Sequence, residues 1–338
     1  GEMKMKTKKI LFTLIIGLTI ASQSFAQISL NKLGQSTMNF QLVSTSPKAS
    51  AMGEAFYTIG SGSESVFFNP AGLSTTKSQF DVTLNYTQWI ADIAYLGGAF
   101  AYNMDNYGTV ALSFLTVDYG TIYATSLDPL QSSASGYIDN GEMSNIGAYS
   151  FGLSYAKSIS EKFSIGGNVR VVGQNLGTNT FVDGSTIDNN AQKIVFDAGV
   201  LYNTGFKDFR FGMAIRNFSS NIKREEINEQ LPLTFTMGGA VNVLAFILPE
   251  SKNDVLTLAV DFLHSNSYSE RINIGTEYKF LGMVALRAGY QTNRDIASWS
   301  AGAGFNTELS GYNLQVNYSF SKMKVFDNVN RISLNFMF

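Results

Sequence analysis

From Arg331 to Phe338 the side chains alternate, with Ile332, Leu334, Phe336 and Phe338 on one face and Arg331, Ser333, Asn335 and Met337 on the other. Just upstream, Tyr312, Leu314, Val316, Tyr318 and Phe320 alternate with Asn313, Gln315, Asn317 and Ser319. A period of two is the mark of a β-strand, whose successive side chains point to opposite faces. The pattern recurs backwards through the chain at about 297–305, 283–291, 271–280, 254–263, 233–243, 209–217, 193–203, 162–172, 147–155, 108–117, 93–102 and 80–87. The total is about fourteen strands, an even number of the kind expected of a barrel whose two ends lie on one side.

The start of the chain sets the address. Lys4, Lys6, Lys8 and Lys9 precede an apolar run from Ile10 to Ile20 and a small-residue cleavage site at Ser24-Phe25-Ala26. This reads as a secretory signal peptide over residues 1–26, hence Sec export, with Gly1 and Glu2 as an upstream extension. Gln27, rather than a cysteine, follows the cleavage site, so no lipoprotein anchor is expected. Beyond residue 26 no stretch offers the roughly eighteen uninterrupted apolar residues of a membrane helix.

Composition narrows the fold further. Charged residues make up 15% of the chain and aromatics 13%, with 26 Phe and 16 Tyr. An exported chain so poor in charge and rich in aromatics, with strands and no spanning helix, is expected to be all-β: a transmembrane antiparallel β-barrel with an N-terminal plug. The charges agree, because Asp81, Arg170, Asp197, Arg210, Arg216, Asp261, Glu277, Lys279, Arg287 and Arg331 all fall opposite the face carrying Val169, Phe196, Leu286 and Ile332. Arg or Lys against mid-bilayer hydrocarbon costs about 2–4 kcal/mol. A secreted sandwich would alternate too, but it would bury its greasy face.

Loop lengths supply a second check. With both termini periplasmic, the outward connections Asp118–Ile146, Gly173–Gln192 and Phe218–Pro232 are long. The inward ones, Ala156–Lys162, Thr204–Asp208, Leu281–Gly282 and Asn306–Gly311, are short, as in outer-membrane barrels. The inward turn Leu244–Asn253 is the exception, longer and apolar, and suits the membrane interface or a periplasmic partner. Phe338 suits recognition by the outer-membrane assembly machinery or a lipid-facing position.

Between the signal peptide and the first strand lies a segment, residues 27–79, that carries Leu42, Val43, Met52, Phe56, Ile59, Val66, Phe67 and Phe68. It is too apolar to be left in water, and a barrel of about fourteen strands is too wide for side chains alone to fill. The expectation is a plug over 27–79 and a barrel over 80–338. Met52 and Gly53 mark its first half. Asn69, Pro70, Ala71 and Gly72 mark a turn in its second.

Those residues carry a resemblance. Lys48-Ala49-Ser50-Ala51-Met52-Gly53-Glu54-Ala55-Phe56 and Phe68-Asn69-Pro70-Ala71-Gly72-Leu73, followed by Ala259-Val260-Asp261-Phe262, Arg271 to Tyr278, Leu286 to Tyr290 and Ala301 to Gly304, resemble the PorV/PorQ family of outer-membrane proteins, relatives of FadL-type transporters. Ser46-Pro47, Lys48 and Glu54 depart from that family's usual residues. The resemblance implies a fourteen-stranded barrel with an N-terminal hatch in the cell outer membrane. Its role would be that of a type IX secretion accessory binding the translocon or the C-terminal signal domain of cargo. The alternative it implies is a transporter of hydrophobic small molecules.

Catalysis is the least favoured class. His264 is the chain's only histidine, and with Ser265 or Ser267 as nucleophile and Asp261 or Asn266 as orienter it would make a lipid hydrolase. Neighbours on a strand, however, point to opposite faces. There are no cysteines and no metal-ligand constellation, and Gly60-Ser61-Gly62 lacks the setting of a dinucleotide loop, so no cofactor is expected. Four of the 24 basic and one of the 26 acidic residues fall in 1–26, leaving a net charge of about −5 and no basic stripe for nucleic acid. The lumenal charges Arg170, Arg210, Arg216 and Arg287, with Asp197, Asp261 and Glu277, are candidates to hold the plug or to line a path.

Overall fold

In the computed structural model, the described residues are 36–128, 135–143, 146–181, 183–224, 227–248, 254–294 and 297–338. The expected signal peptide, residues 1–26, and the start of the expected plug, residues 27–35, lie outside them. So do parts of the connections at 129–134, 144–145, 225–226 and 249–253.

Alternation becomes strand where it was expected. In chain order the strands are β1 (Phe80–Gln88), β2 (Ala94–Asn103), β3 (Thr109–Asp118), β4 (Tyr123–Leu127), β5 (Tyr137–Glu142), β6 (Gly147–Ser158), β7 (Phe163–Thr180), β8 (Thr186–Asn203) and β9 (Arg210–Phe218). The second half supplies β10 (Ile222–Arg224), β11 (Ile227–Glu229), β12 (Thr234–Asn242), β13 (Val255–Ser265), β14 (Arg271–Phe280), β15 (Val284–Gln291), β16 (Ala297–Leu309), β17 (Tyr312–Met323) and β18 (Val329–Met337). Fourteen of them close into one antiparallel barrel in the order β1-β18-β17-β16-β15-β14-β13-β12-β9-β8-β7-β6-β3-β2. Closure is made by β1 against β18, with Val82 opposite Phe336 and Tyr86 opposite Ile332. A closed barrel leaves no unpaired edge, which is what hydrocarbon demands of a spanning sheet.

The two faces divide as a membrane requires. Leu84, Tyr86, Phe100, Leu112, Phe151, Val169, Phe196, Met213, Val260, Leu286, Tyr318, Ile332 and Leu334 are exposed on the outer face. Their inward neighbours are small or polar and buried, among them Ala99, Ala101, Ala111, Ala156, Ala214, Ala240, Ala259, Thr83 and Asn85. Asp81, Arg170, Asp197, Asp261, Glu277, Arg287 and Arg331 are buried on this inward side, and Arg210 and Arg216 are partly buried. Lys279, near the end of β14, is more exposed and reaches Glu277 at 3.2 Å. No helix among the described residues is long and apolar enough to cross a membrane.

Three connections are more ordered than their sequence implied. Gly173–Gln192, expected as a loop, is mostly strand: β7 runs on to Thr180 and β8 starts at Thr186, with Gly173 opposite Gln192 and Thr180 opposite Thr186. Beyond the hydrocarbon both faces of a hairpin are wet, so the apolar alternation stops while the hydrogen-bond ladder continues. The connection after β3 contains the hairpin β4–β5, and the one after β9 contains β10–β11. On the opposite rim, Leu244–Ile247 forms a short helix with Phe246 and Ile247 exposed. Lys207 donates to Ala245 O at 2.6 Å there and lies 4.1 Å from the Phe246 ring.

Candidate functional site in the barrel interior

The segment before β1 has little regular structure, and its shape comes from local caps. Ser46 accepts from the backbone N–H of Ala49 at 3.1 Å, and Pro47 opens the helix Pro47–Ala51, as an N-cap followed by proline at the first helical position should. Ser46 Oγ also donates to Glu64, whose other carboxylate oxygen takes Lys48 Nζ at 2.6 Å. Farther along, Asn69 Oδ1 accepts from Ala71 N–H at 3.1 Å, and Pro70 starts the 3-10 turn Pro70–Thr75. The Asn69 amide donates to Tyr57 O within the segment at 3.0 Å and, outwards, to Val200 O of β8 at 3.1 Å. One asparagine thus caps its own turn and ties it to the wall.

Every barrel strand meets this segment. Helix Pro47–Ala51 lies against β15, β16, β17 and β18, the turn Gly62–Phe67 against β1, β2 and β3, and Pro70–Thr75 against β3, β6, β7 and β8. Thr58 approaches Gly212 of β9 and Gly238 of β12, and Met52 approaches Gly275 of β14. Asp261 of β13 accepts from Tyr57 N–H at 3.0 Å.

Glycines in the wall make the approach possible. A Cβ on Gly289 would collide with Gly53 N and the Met52 carbonyl carbon, one on Gly302 would stand 2.6 Å from Ala51 Cβ, and one on Gly199 would overlap the Asn69 side chain. Gly53 has a φ of 61°, and a Cβ there would lie 2.6 Å from Tyr290 N. Met52 is fully buried. Gly72 sits so close to Gly60 O that a side chain has no room. Met52, Gly53 and Asn69, with Pro70 and Ala71 against Gly166 of β7, are therefore contact points between segment and wall, whereas Gly72 packs on Gly60 within the segment. The wall glycines were not singled out from sequence, because alternation treats glycine as neutral. The recurrence of Gly275, Gly289 and Gly302 at inward positions of neighbouring strands was the available signal.

The seven inward charges form local groups rather than one cluster. Arg170 grips Asp197 with two bonds, 2.7 Å from Nε and 2.8 Å from Nη2, and donates to Gln41 at 2.8 Å and Asn217 at 2.7 Å. Glu277 takes Arg287 at 2.6 Å, and Arg287 also donates to Asn317. Asp261 holds Tyr57, and Arg216 donates to Tyr57 Oη at 3.3 Å. Arg210 makes no ion pair among the described residues. Asp81 binds Ser63 through both its hydroxyl and its backbone N–H, and Arg331 donates to Ser44 O at 2.9 Å. In the segment itself, burial pushes the Glu54 carboxyl above its usual range, against the pull of Arg331, Arg294 and Arg216.

The hydrolase constellation does not assemble. The His264 side chain is exposed and meets Glu270 at 3.0 Å, whereas Ser265 is buried on the opposite face and donates to Leu233 O. Among the described residues no cluster of metal-ligating side chains occurs.

Residues 130–323 match the family model of the type IX secretion system membrane protein PorP/SprF, more than half of the chain. The chain belongs to the PorP/SprF family. The match shares the type IX secretion system with the PorV/PorQ resemblance read from the sequence, and names PorP/SprF. No curated protein matches this PorP/SprF member in sequence. In fold it is similar to the Pseudomonas putida toluene transporter TodX, with a TM-score of 0.57, 12% identity and coverage of 86% of this chain and 96% of that one. The CymD monoaromatic hydrocarbon channel gives 0.51, also at 12% identity, covering 87% and 97%. The deltaS2S3 mutant of TodX gives 0.54 at 12% identity, covering 86% and 96%. At such identity the likeness is one of fold alone: a closed antiparallel β-barrel.

Proposed function

We propose that this PorP/SprF member is a non-catalytic outer-membrane accessory of type IX secretion, exported through its N-terminal signal and stoppered by residues 27–79. The contact of residues 39–75 with all fourteen strands is the observation that carries this reading, since a barrel filled in this way acts through its rims. Fixed wall contacts at Met52, Gly53, Asn69, Pro70 and Ala71, the packing of Gly72 on Gly60, and the grip of Arg170, Asp197, Asp261, Glu277 and Arg287 on segment or neighbours, keep the stopper in place. The rim that binds translocon or cargo signal domains is the one carrying β4–β5, the β7–β8 extension and β10–β11, whose many Ser, Asn, Gly and Thr residues suit adaptable polar contacts.

The test is a native pull-down of the full chain in mild detergent. Recovery of secretion-system proteins or cargo C-terminal domains, lost when residues 123–142 are deleted, is the expected result. Recovery of lipid-like molecules without any protein overturns it. A second reading, a channel for hydrophobic small molecules, draws on the toluene and monoaromatic hydrocarbon transporters that share the fold. It predicts that deleting residues 40–72 abolishes solute uptake and leaves secretion intact.

A further inference from the structure

Between residues 41–45, Phe67 and Phe68 of the segment and the wall of β9, β13 and β14 lies a cavity with about 80 Å3 of room for the centres of water molecules. At roughly 10–15 Å3 of such room per water, it takes about five to eight non-hydrogen atoms. Val43, Phe67, Phe68 and Leu263 give it an apolar side. Its other side carries four guanidinium groups, those of Arg170, Arg216, Arg271 and Arg294, against the single carboxylate of Glu54.

The four are not equivalent. Asp197 answers Arg170, and Arg271 lies 3.6 Å from the Tyr268 ring. Among the described residues Arg216 and Arg294 donate only to neutral groups, Tyr57 Oη at 3.3 Å and Gln291 Oε1 at 2.7 Å, and neither has a carboxylate within 4 Å. Arg216 Nε is buried with no hydrogen-bond partner among the described residues. Burial favours the neutral form of Glu54, and the other carboxylate whose charge reaches Arg216, that of Asp197, is already held by two bonds from Arg170. Four guanidinium groups sharing so few carboxylates leave the cavity net positive, and an entering anion offsets that charge. Tethering the segment accounts for Arg170, which reaches Gln41, but leaves the Arg216 Nε donor unused.

We propose that this cavity binds a small carboxylate with a short apolar body, its carboxylate on Arg216 and Arg294 and its alkyl or aryl part against Phe67, Phe68 and Leu263. Shape and charge both select: a longer chain exceeds the space, and an uncharged hydrocarbon leaves the guanidinium groups as they were. The site stands apart from the secretion reading, because it depends on no protein partner.

The test is calorimetric titration of the full-length chain in detergent with butyrate and hexanoate, and with 1-butanol and 1-hexanol as uncharged counterparts. Saturable binding of either acid, absent for its alcohol and weakened about tenfold or more in Arg216→Gln and in Arg294→Gln, is expected from the loss of a charge-assisted hydrogen bond. Gel mobility before and after heating reports whether each variant is folded, and if Arg216→Gln is not, Arg294→Gln gives the same readout. Equal binding of acid and alcohol, unchanged affinity in the folded variants, or no binding of either acid at millimolar concentration overturns the proposal. Inorganic sulfate binding as tightly as butyrate also overturns it, since the apolar wall would then contribute nothing.

Discussion

Asp197 takes two bonds from Arg170 and one from Asn217 N–H at 2.8 Å, all buried. Removing one member of a buried pair strands the other, at about 3–5 kcal/mol. Asp197→Ala is therefore expected to lower unfolding stability by that amount in lipid vesicles, with Asp197→Asn costing less because the amide oxygen still accepts. Urea titration followed by tryptophan fluorescence measures both, and equal, negligible losses would contradict the assignment. Gly289 offers a different test, since its wall position has no space for a side chain beside Met52 and Gly53. Overpacking costs about 1–3 kcal/mol, so Gly289→Val is expected to speed proteolysis within residues 40–60 while the barrel keeps its heat-dependent gel shift. That Arg170 and Asp197 face inward was legible from alternation. That they face each other was not, because Asn168 opposite Asp197 is a matter of strand register, which a single sequence leaves open.

Among the elements, legibility tracked solvent. Where one face meets hydrocarbon, as at Ile332, Leu334 and Phe336, alternation located the strand within a residue or two. Where both faces meet water, as at 174–180 and 186–192, the same backbone ladder leaves no trace in hydrophobicity, and sequence alone does not tell it from loop. The segment before β1 was legible as apolar and misplaced for solvent, but its course was not, since caps at Ser46 and Asn69 fix turns rather than a path. If the β7–β8 extension is held by its ladder alone, joining Gln174 to Ala191 through Asn-Gly, a turn that suits a two-residue hairpin, leaves the barrel intact. The expected outcome is an unchanged heat-dependent gel shift and an unfolding midpoint close to that of the parent. A large drop would mean the extension supports the wall.

On the scale of the whole molecule, the outer belt is the feature the environment enforces most strictly. Phe151 stands mid-way along β6 and is 54% exposed. Phe151→Arg is expected to cost about 2–4 kcal/mol in bilayers. Placed in detergent micelles, whose packing yields more easily, the same variant should lose less; comparing the two by urea unfolding checks that lipid, not protein, is what the ring contacts.

The small inward side chains of the wall have one more consequence, for the order of assembly. Residues 39–75 are made before any strand, run through 76–79 into one lip of the β1–β18 seam, and touch every stave between the two lips. A body that touches every stave is expected to be in place before the last pair of lips is joined, serving as the mandrel around which the staves are wound.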